Sequence, residues 1–182
     1  MAYDPRVHHR RSIRLQGYDY TQAGAYFITL GAHGRELLFG RVQDGQMYLN
    51  AVGEMVAEEW ERLERRFPSV ELDVFCVMPD HMHAILVLAD RGAGRCRAAA
   101  KEQFGAPVVR SVPTLIRSYK SSVTQRNLFL HGRDAAPLWQ RNYYEHVIRN
   151  EAELERIRRY IIENPARWGR DAERICRGTG DT

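Results

Sequence analysis

The sequence predicts an α+β domain in which helices pack on an antiparallel sheet, and three observations support this. Strand-like and helix-like segments do not alternate strictly, which argues against a doubly wound parallel sheet. An Asp-Gly pair separates two strand-like runs, as in a tight antiparallel hairpin. The 182 residues contain no internal repeat, so they are expected to form a single domain.

The first third of the chain predicts a strand, a hairpin and a helix. Residues 25–33 are rich in aromatic and β-branched side chains, which is typical of a strand. Asp44-Gly45 is expected to form the hairpin turn that follows. Asn50 can cap a helix over 51–67, where apolar side chains recur at three- and four-residue steps on one face.

The middle of the chain contains its most apolar segments. Residues 70–78 and 81–89 predict two strands in the interior of a sheet, and Pro79-Asp80 forms the turn between them. Residues 90–110 are rich in Gly, Ala and Arg and show no periodicity. Irregular segments of this length in compact domains are usually functional or disordered.

The last third predicts two helices with an irregular segment between them. Ser111 begins the first helix, and residues 131–144 are expected to be irregular. Asn150 is the expected cap of a second helix over 151–163, and Pro165 is expected to end it.

Composition restricts the class of protein. The chain has a net charge of +4 and an isoelectric point near 9.1, which weakly favours an anionic partner such as nucleic acid. No apolar run is long enough to cross a membrane and the N-terminus lacks a secretion signal, so a cytoplasmic protein is expected. The three cysteines are far apart in sequence, which disfavours a zinc knuckle or a disulfide framework.

The two ends of the chain differ from its centre. Residues 1–20 are expected to form a basic arm in which Arg10, Arg11 and Arg14 are candidate phosphate contacts; a solvated tail is the alternative. The folded domain is expected over 21–175, followed by a short tail over 176–182.

Two histidines form the first candidate site. His81 and His83 are two residues apart on a predicted strand, so their side chains point to one face, about 6–7 Å apart along the chain. Two imidazoles at this spacing can share a metal ion. Met82 and Ala84 should point to the other face. Histidines are uncommon in such an apolar segment, which favours a functional role over a structural one.

The last predicted helix supplies the other candidate residues. Tyr160 and Asn164 are four apart and therefore lie on one helix face. The Asn164 amide could complete a metal site while the Tyr160 hydroxyl lies beside it. Taken without context, a tyrosine at this position is more often an aromatic side chain that packs on the sheet.

These residues lie within segments that resemble the REP-associated tyrosine transposases, a group of single-tyrosine transposases. The similar segments extend over roughly residues 10–172 and read RRSIRLQGYDYTQAGAYFITL, VMPDHMHAILVL, IRSYKSSVTQRN and LWQRNYYEHVIRNEAELERIRRYIIENPARWGRD. The ordered set of segments is specific, whereas the His-x-His motif by itself is not.

The resemblance implies a fold, a reaction and a set of site residues. The fold would be ferredoxin-like, with helices on one side of an antiparallel sheet and the histidines on a central strand. The resemblance implies that His81 and His83 bind the metal, that Asn164 is its third ligand, and that Tyr160 is the nucleophile. The family usually has Asn before the first histidine, and this chain has Asp80 instead, which adds negative charge there.

The implied chemistry is cleavage and rejoining of single-stranded DNA beside hairpins. Attack by Tyr160 would give a 5′-phosphotyrosine and a free 3′-hydroxyl, and this covalent link would allow rejoining without ATP. Imidazole ligands alone would favour zinc, whereas the resemblance implies Mg²⁺ or Mn²⁺. No small-molecule substrate is expected, and either a monomer or a homodimer is consistent with the family.

Further cations are candidates for binding the DNA backbone, while aromatic side chains of the WQRNYY segment could stack on unpaired bases. The candidates outside the arm are Lys120, Arg126, Arg141, Arg156 and Arg159. Two other functions remain open at this stage. One is a non-catalytic protein of the same fold that binds hairpin DNA, and the other is a metal-dependent phosphoesterase that uses water.

Overall fold

The structure is a computed structural model that describes residues 18–89, 108, 110–132 and 135–168. The arm residues Arg10, Arg11 and Arg14, most of the 90–110 segment and the predicted tail lie outside the described residues. In chain order the elements are β1 (Gly24–Gly31), a 3-10 turn (His33–Arg35), β2 (Gly40–Gln43), β3 (Gln46–Leu49), α1 (Ala51–Arg66), β4 (Val70–Val77), β5 (His81–Leu88), α2 (Val112–His131), β6 (Tyr144–Ile148) and α3 (Glu151–Ile162).

The central sheet has the strand order β4-β5-β1-β6, and each neighbouring pair is antiparallel. Its strands are connected as β1–α1–β4–β5–α2–β6, which is the βαββαβ arrangement of a ferredoxin-like domain. The β2–β3 hairpin is inserted between β1 and α1 and pairs only with itself among the described residues. The predicted ferredoxin-like α+β fold is therefore confirmed.

The hairpin turn and the helix caps follow the predicted chemistry. Asp44 and Gly45 both have positive φ, at 52° and 74°, as a tight two-residue hairpin turn requires. The side chains of Asn50, Ser111 and Asn150 each accept a hydrogen bond from a backbone N–H in the first turn of α1, α2 and α3.

The sequence-based expectation missed strand β6. Within the described part of the chain this segment pairs only with β1, at an edge of the sheet. Residues 131–144 were expected to be irregular, and β6 begins at the last of them. Tyr144 and Ile148 point to the α3 side of the sheet, where Tyr144 is exposed and Ile148 buried, and Glu145 is buried on the other side. A five-residue edge strand with this mixed composition gives only a weak periodic signal.

One face of the sheet packs against α1 and α2 and forms the larger core. Met82 and Ala84 point to this face, as predicted, together with side chains from β1. The Trp60 ring of α1 meets the Tyr119 ring of α2 edge to face, with centroids 5.1 Å apart. The Tyr119 hydroxyl donates to the Val56 carbonyl at 2.9 Å, so this buried polar group is satisfied.

The third helix packs on the opposite face, so the expectation that the helices lie on one side of the sheet is wrong for α3. Ile157 and Ile161 are buried against Ile85, in a core separate from the larger one. Arg158 fixes the helix to β4, because its Nε and Nη2 both donate to the Asp73 carboxylate, at 3.0 Å and 2.6 Å. Helical periodicity predicts that α3 has an apolar stripe, but not which face of the sheet it covers.

The chain continues as a second helical segment after α3. Helix α3 ends at Ile162, three residues before Pro165, and residues 164–168 are again helical. Proline is favoured in the first turn of a helix, where its missing N–H costs nothing. The Gly45 turn lies against this segment, since a Cβ at Gly45 would be 3.5 Å from Ala166.

The folded domain begins earlier than residue 21. Tyr20 is buried and Tyr18 is partly buried, and their rings pack with Tyr26 at centroid distances of 6.2 Å and 6.5 Å. These two tyrosines had been assigned to the basic arm. No helix among the described residues combines the length and apolar character needed to span a membrane.

Candidate active site

His81 and His83 are the first and third residues of β5, and their side chains point to the face of the sheet on which α3 packs. Their Nε2 atoms are 3.0 Å apart, so the two imidazoles converge on one point. Met82, between them, is buried in the larger core on the opposite face. Strand alternation therefore predicted the histidine pair correctly.

A hydrogen-bond partner holds each imidazole at Nδ1. The Asp80 carboxylate lies 2.5 Å from His81 Nδ1, and the Thr29 hydroxyl of β1 lies 2.9 Å from His83 Nδ1. The Asp80 carboxylate can only accept, so it places a hydrogen on Nδ1 of His81, whereas the Thr29 hydroxyl can accept from or donate to Nδ1 of His83. When Thr29 accepts, His83 also carries its hydrogen on Nδ1. Each Nε2 then has an outward lone pair, and a carboxylate–histidine contact of this kind is typical of metal-binding histidines.

The histidine pair fits a metal ion. Two lone pairs that face each other at 3.0 Å repel unless a cation or proton lies between them. Two nitrogen ligands about 2.1 Å from one ion are about 3 Å apart when they subtend roughly a right angle. The described residues contain no group of three His, Cys, Asp or Glu side chains that could hold a metal, so a third ligand from among these residues would be of another type.

Burial and neighbouring charges keep His83 neutral. Burial lowers the pKa of His83 to about 3, with further lowering by the charges of His81 and Arg35. Burial alone would raise the pKa of Asp80, but the hydrogen bond and charge of His81 and the charge of Arg35 outweigh it and lower the pKa of that carboxyl. Metal binding requires a neutral imidazole, which is the form that His83 retains.

Helix α3 places Tyr160 beside the histidines. Its hydroxyl oxygen lies 3.2 Å from His83 Nε2, and its ring meets Phe27 edge to face, with centroids 6.2 Å apart. The side chain is 38% exposed, so the hydroxyl is not sealed inside the hydrophobic core. The structure therefore brings together the predicted nucleophile and the predicted metal-binding pair.

Asn164 lies at the start of the helical segment that follows α3. It is 8% exposed, and its amide has no hydrogen-bond partner within the part of the chain that the structure describes. Trp168, at the end of this segment, packs near His81 with ring centroids 5.8 Å apart. The segment thus borders the histidine site, which is compatible with a ligand role for Asn164.

The predicted DNA-binding cations fall into two groups. Lys120 and Arg126 lie on α2, on the face opposite the histidines. The Lys120 amino group donates to the Gln140 carbonyl at 2.5 Å, and burial lowers its pKa to about 8. Arg126 forms an ion pair with Glu58 at 2.6 Å. Both cations have partners within the fold, so the structure gives them contacts that do not need DNA.

The other group is exposed. Arg156 and Arg159 lie on α3, on the turn before Tyr160, and Arg141 precedes β6. Arg156 Nη2 lies 3.7 Å from Oε1 of Glu153, and the Arg156 side chain remains 71% exposed. These three arginines are available to a ligand on the surface.

Sequence reasoning missed four side chains around the site. Thr29 holds His83, Phe27 stacks on the His83 ring with centroids 5.3 Å apart, and Arg35 lies 3.6 Å from the Asp80 carboxylate. Gln140 lies over Gly31, opposite His81. The alternation of β1 indicates that Phe27 and Thr29 share a face, but only the register of β1 with β5 identifies His83 as their neighbour.

The contact between Asp80 and His81 predicts a graded effect on metal affinity. Asp80→Asn retains an oxygen that can accept from His81 Nδ1 but loses the charge and the Arg35 ion pair, so Mn²⁺ affinity should fall about tenfold or less. Asp80→Ala removes the acceptor and should cost about 10- to 100-fold. Titration of Mn²⁺ by calorimetry checks this. Equal affinity in Asp80→Ala and the parent protein would exclude a supporting role for the carboxylate.

Comparisons with known proteins were made in sequence and in structure, and no protein-family model matches the chain. An uncharacterised protein of Haemophilus influenzae is 38% identical over 175 residues, which cover 93% of this chain and 95% of that protein. A second protein of that organism has the name "Putative REP-associated tyrosine transposase". It is 24% identical over 153 residues, which cover 83% of this chain and 75% of that protein.

A solved structure has a similar fold. The REP-associated tyrosine transposase bound to a REP hairpin matches with a TM-score of 0.56 and 22% identity, over 86% of this chain and 74% of that one. The structure of a "putative transposase" from Deinococcus radiodurans gives a TM-score of 0.47 and 16% identity, over 84% of this chain and 98% of that one.

Proposed function

Since the chain belongs to one family with the 38%-identical Haemophilus protein and is related to the REP-associated tyrosine transposases, we propose that it is a transposase-type enzyme acting on DNA. More specifically, it cuts and rejoins single-stranded DNA next to a hairpin through a covalent bond to Tyr160. The solved relative is bound to a REP hairpin, which supports hairpin DNA as the partner.

One observation supports this function above all others. The Tyr160 hydroxyl lies 3.2 Å from Nε2 of His83, which in turn lies 3.0 Å from Nε2 of His81. A nucleophile candidate and two convergent lone pairs therefore meet at one solvent-accessible point. A tyrosine that only packed on the sheet would not need its hydroxyl directed at a histidine pair.

The proposed reaction exchanges one phosphate ester for another. The Tyr160 oxygen attacks the phosphorus, a bond from that oxygen to phosphorus forms, and the bond from phosphorus to the 3′ oxygen breaks. The phenol proton passes to water, and the departing 3′ oxygen takes up a proton. The product is a 5′-phosphotyrosine and a free 3′-hydroxyl. Attack by a 3′-hydroxyl on the phosphotyrosine reverses these steps and rejoins DNA without ATP.

His81 and His83 are the residues that would hold the metal, with Asn164 as a third ligand, and Mg²⁺ or Mn²⁺ is the expected ion. A divalent ion in this position would offset the negative charge that develops on the phosphate oxygens. Asp80 and Thr29 fix the imidazole orientations through Nδ1. Phe27 stacks on the His83 ring and meets the Tyr160 ring, so both reactive side chains have little freedom to rotate.

The surface around the site suits a single strand of DNA. Arg141, Arg156 and Arg159 are the candidates for phosphate contacts, and the exposed Tyr144 ring on the same face could stack on a base. One chain provides the nucleophile and both histidines, which favours action as a monomer, with a homodimer as the alternative. No small-molecule substrate is proposed.

Trapping of the covalent intermediate tests the proposal. The protein is incubated with Mn²⁺ and a hairpin that has single-stranded flanks, labelled at either end. The expected result is a protein–DNA adduct that survives denaturation, retains only the 3′-side label and maps by mass spectrometry to the Tyr160 peptide. Cleavage without an adduct would favour the phosphoesterase. Binding without cleavage would favour a hairpin-binding protein.

A further inference from the structure

Gly31 and Gln140 form a contact beside the histidines that the proposed reaction has not yet used. Gly31 lies in β1 directly opposite His81 in β5, and it has the same side-chain parity as Thr29, which contacts His83. A Cβ at Gly31 would therefore point toward the histidine face. It would also lie only 2.8 Å from Cδ and Oε1 of Gln140. The Gln140 side chain thus occupies the space over Gly31, next to His81.

Two hydrogen bonds hold the Gln140 backbone in this position. Its N–H donates to the Gly31 carbonyl at 2.9 Å, and its carbonyl accepts from the Lys120 amino group at 2.5 Å. The Lys120 contact has a cost in free energy, because the half-buried amino group loses hydration. The segment before β6 is therefore fastened to the sheet at the residue whose side chain reaches the site.

The Gln140 amide itself has no hydrogen-bond partner within the described ranges of the chain. A glycine inside a strand weakens that strand and often marks a position where another group approaches closely. The missing side chain of Gly31 leaves space for the half-buried amide of Gln140, which is free to bind a ligand. Phosphate oxygens are hydrogen-bond acceptors only, so a phosphate would accept from Nε2 of such an amide.

We propose that Gln140 is a substrate-positioning residue whose amide donates to a non-bridging oxygen of the DNA phosphate beside His81. This inference rests on the proposed function and identifies a residue that fixes the strand for attack by Tyr160. Because the Gln140 backbone is already fixed, binding of the strand has to order only the side-chain rotamers, which limits the entropy cost of the hydrogen bond.

Substitutions at both partners test the proposal, with cleavage of the hairpin measured under saturating Mn²⁺. Gln140→Ala should lower kcat/KM about 10- to 100-fold, as expected for loss of a hydrogen bond to a charged group. Gln140→Glu should lower it further, because a carboxylate would face the phosphate. Gly31→Ala should reproduce the effect of Gln140→Ala, since its new methyl group displaces the flexible amide.

The combined variant and a matched control sharpen the test. Gly31→Ala with Gln140→Ala should be no worse than either single variant, because both remove one contact. Gln125, an exposed glutamine on α2, is the control, and Gln125→Ala and Gln125→Glu should cleave like the parent protein. Mn²⁺ affinity without DNA should be unchanged in Gln140→Ala, whereas a weaker affinity would make Gln140 a metal ligand and overturn the proposal.

DNA affinity separates failure of this inference from failure of the proposed function. Anisotropy titrations with the labelled hairpin, in Mn²⁺ and with Tyr160→Phe as background, should show weaker binding for Gln140→Glu than for Gln125→Glu. Equal affinities, or a Gln140→Ala rate within twofold of the parent protein, would overturn the role of Gln140. Absence of an adduct from the parent protein would instead overturn the proposed function.

Discussion

Replacing Tyr160 by phenylalanine is expected to abolish covalent adduct formation and to lower strand cleavage by at least about 1,000-fold, while folding and DNA binding change little. The substitution removes one oxygen and keeps the ring that meets Phe27 and His83. That oxygen is the atom proposed to form the bond with phosphorus. Cleavage of a labelled hairpin on a denaturing gel measures the loss, and anisotropy measures binding.

A second tyrosine on the same face provides the matched control. The Tyr144 ring is exposed and lies edge to face with Phe27, 6.2 Å between centroids, but no contact joins its hydroxyl to a histidine among the described residues. Tyr144→Phe should therefore cleave at close to the parental rate. Retention of cleavage by Tyr160→Phe would show that water, and not this tyrosine, attacks the phosphate.

Loss of His83 is expected to have the other large effect. His83→Ala removes one of the two convergent Nε2 lone pairs, so Mn²⁺ affinity should fall more than about 100-fold and cleavage about 1,000-fold. Because His83 is nearly buried and is hydrogen-bonded to Thr29, the variant should also unfold at a lower temperature. Calorimetric titration with Mn²⁺, a cleavage assay and a thermal melt measure the three effects separately.

His33→Ala is the control for this variant, because His33 is exposed in the turn after β1. It should bind Mn²⁺ and cleave DNA like the parent protein. A His83→Ala protein that is folded at the assay temperature and binds Mn²⁺ normally would show that the imidazole pair is not the metal site. Cleavage at the parental rate in the presence of a chelator would contradict metal dependence itself.

The local part of the fold could be predicted because its signals are local. The Asp44-Gly45 turn, the three polar caps and the His-x-His spacing each depend on residues within one turn or a few strand positions. Backbone geometry alone then places His81 and His83 on one face. Four-residue spacing predicted that Tyr160 and Asn164 share a helix face, but α3 ends at Ile162 and Asn164 begins the next helical segment.

The rest depends on pairings between distant segments. Strand β6 contains the strand formers Tyr144, Val147 and Ile148, but it is only five residues long, and its place at the sheet edge depends on pairing with β1. Thr29 and Gln140 become neighbours of the histidines only through the register of β1 with β5 and the bond from Gln140 to Gly31. Local periodicity contains no information about such contacts.

Charge composition was a weak guide to the binding surface. Lys120 and Arg126 are cationic like the exposed arginines and lie on a helix as Arg156 and Arg159 do, yet the fold pairs them with a backbone carbonyl and with Glu58. In the sequence, Asp80 was recognisable only as an added negative charge next to the site. In the structure its carboxylate is held between His81 and Arg35, where it orients the imidazole.

The two sides of the sheet differ in role, because one side holds the larger core and the other holds the candidate site. The side that α1 and α2 cover consists of a dense apolar interior, whereas the side that α3 covers has a small apolar contact and an accessible group of reactive side chains. A library that randomises residues on the first side should mainly yield chains that do not express in soluble form. Randomising only the exposed positions around His81, His83 and Tyr160, with these three residues kept, should yield well-folded chains with altered DNA binding, which makes those positions the practical starting surface for redesign.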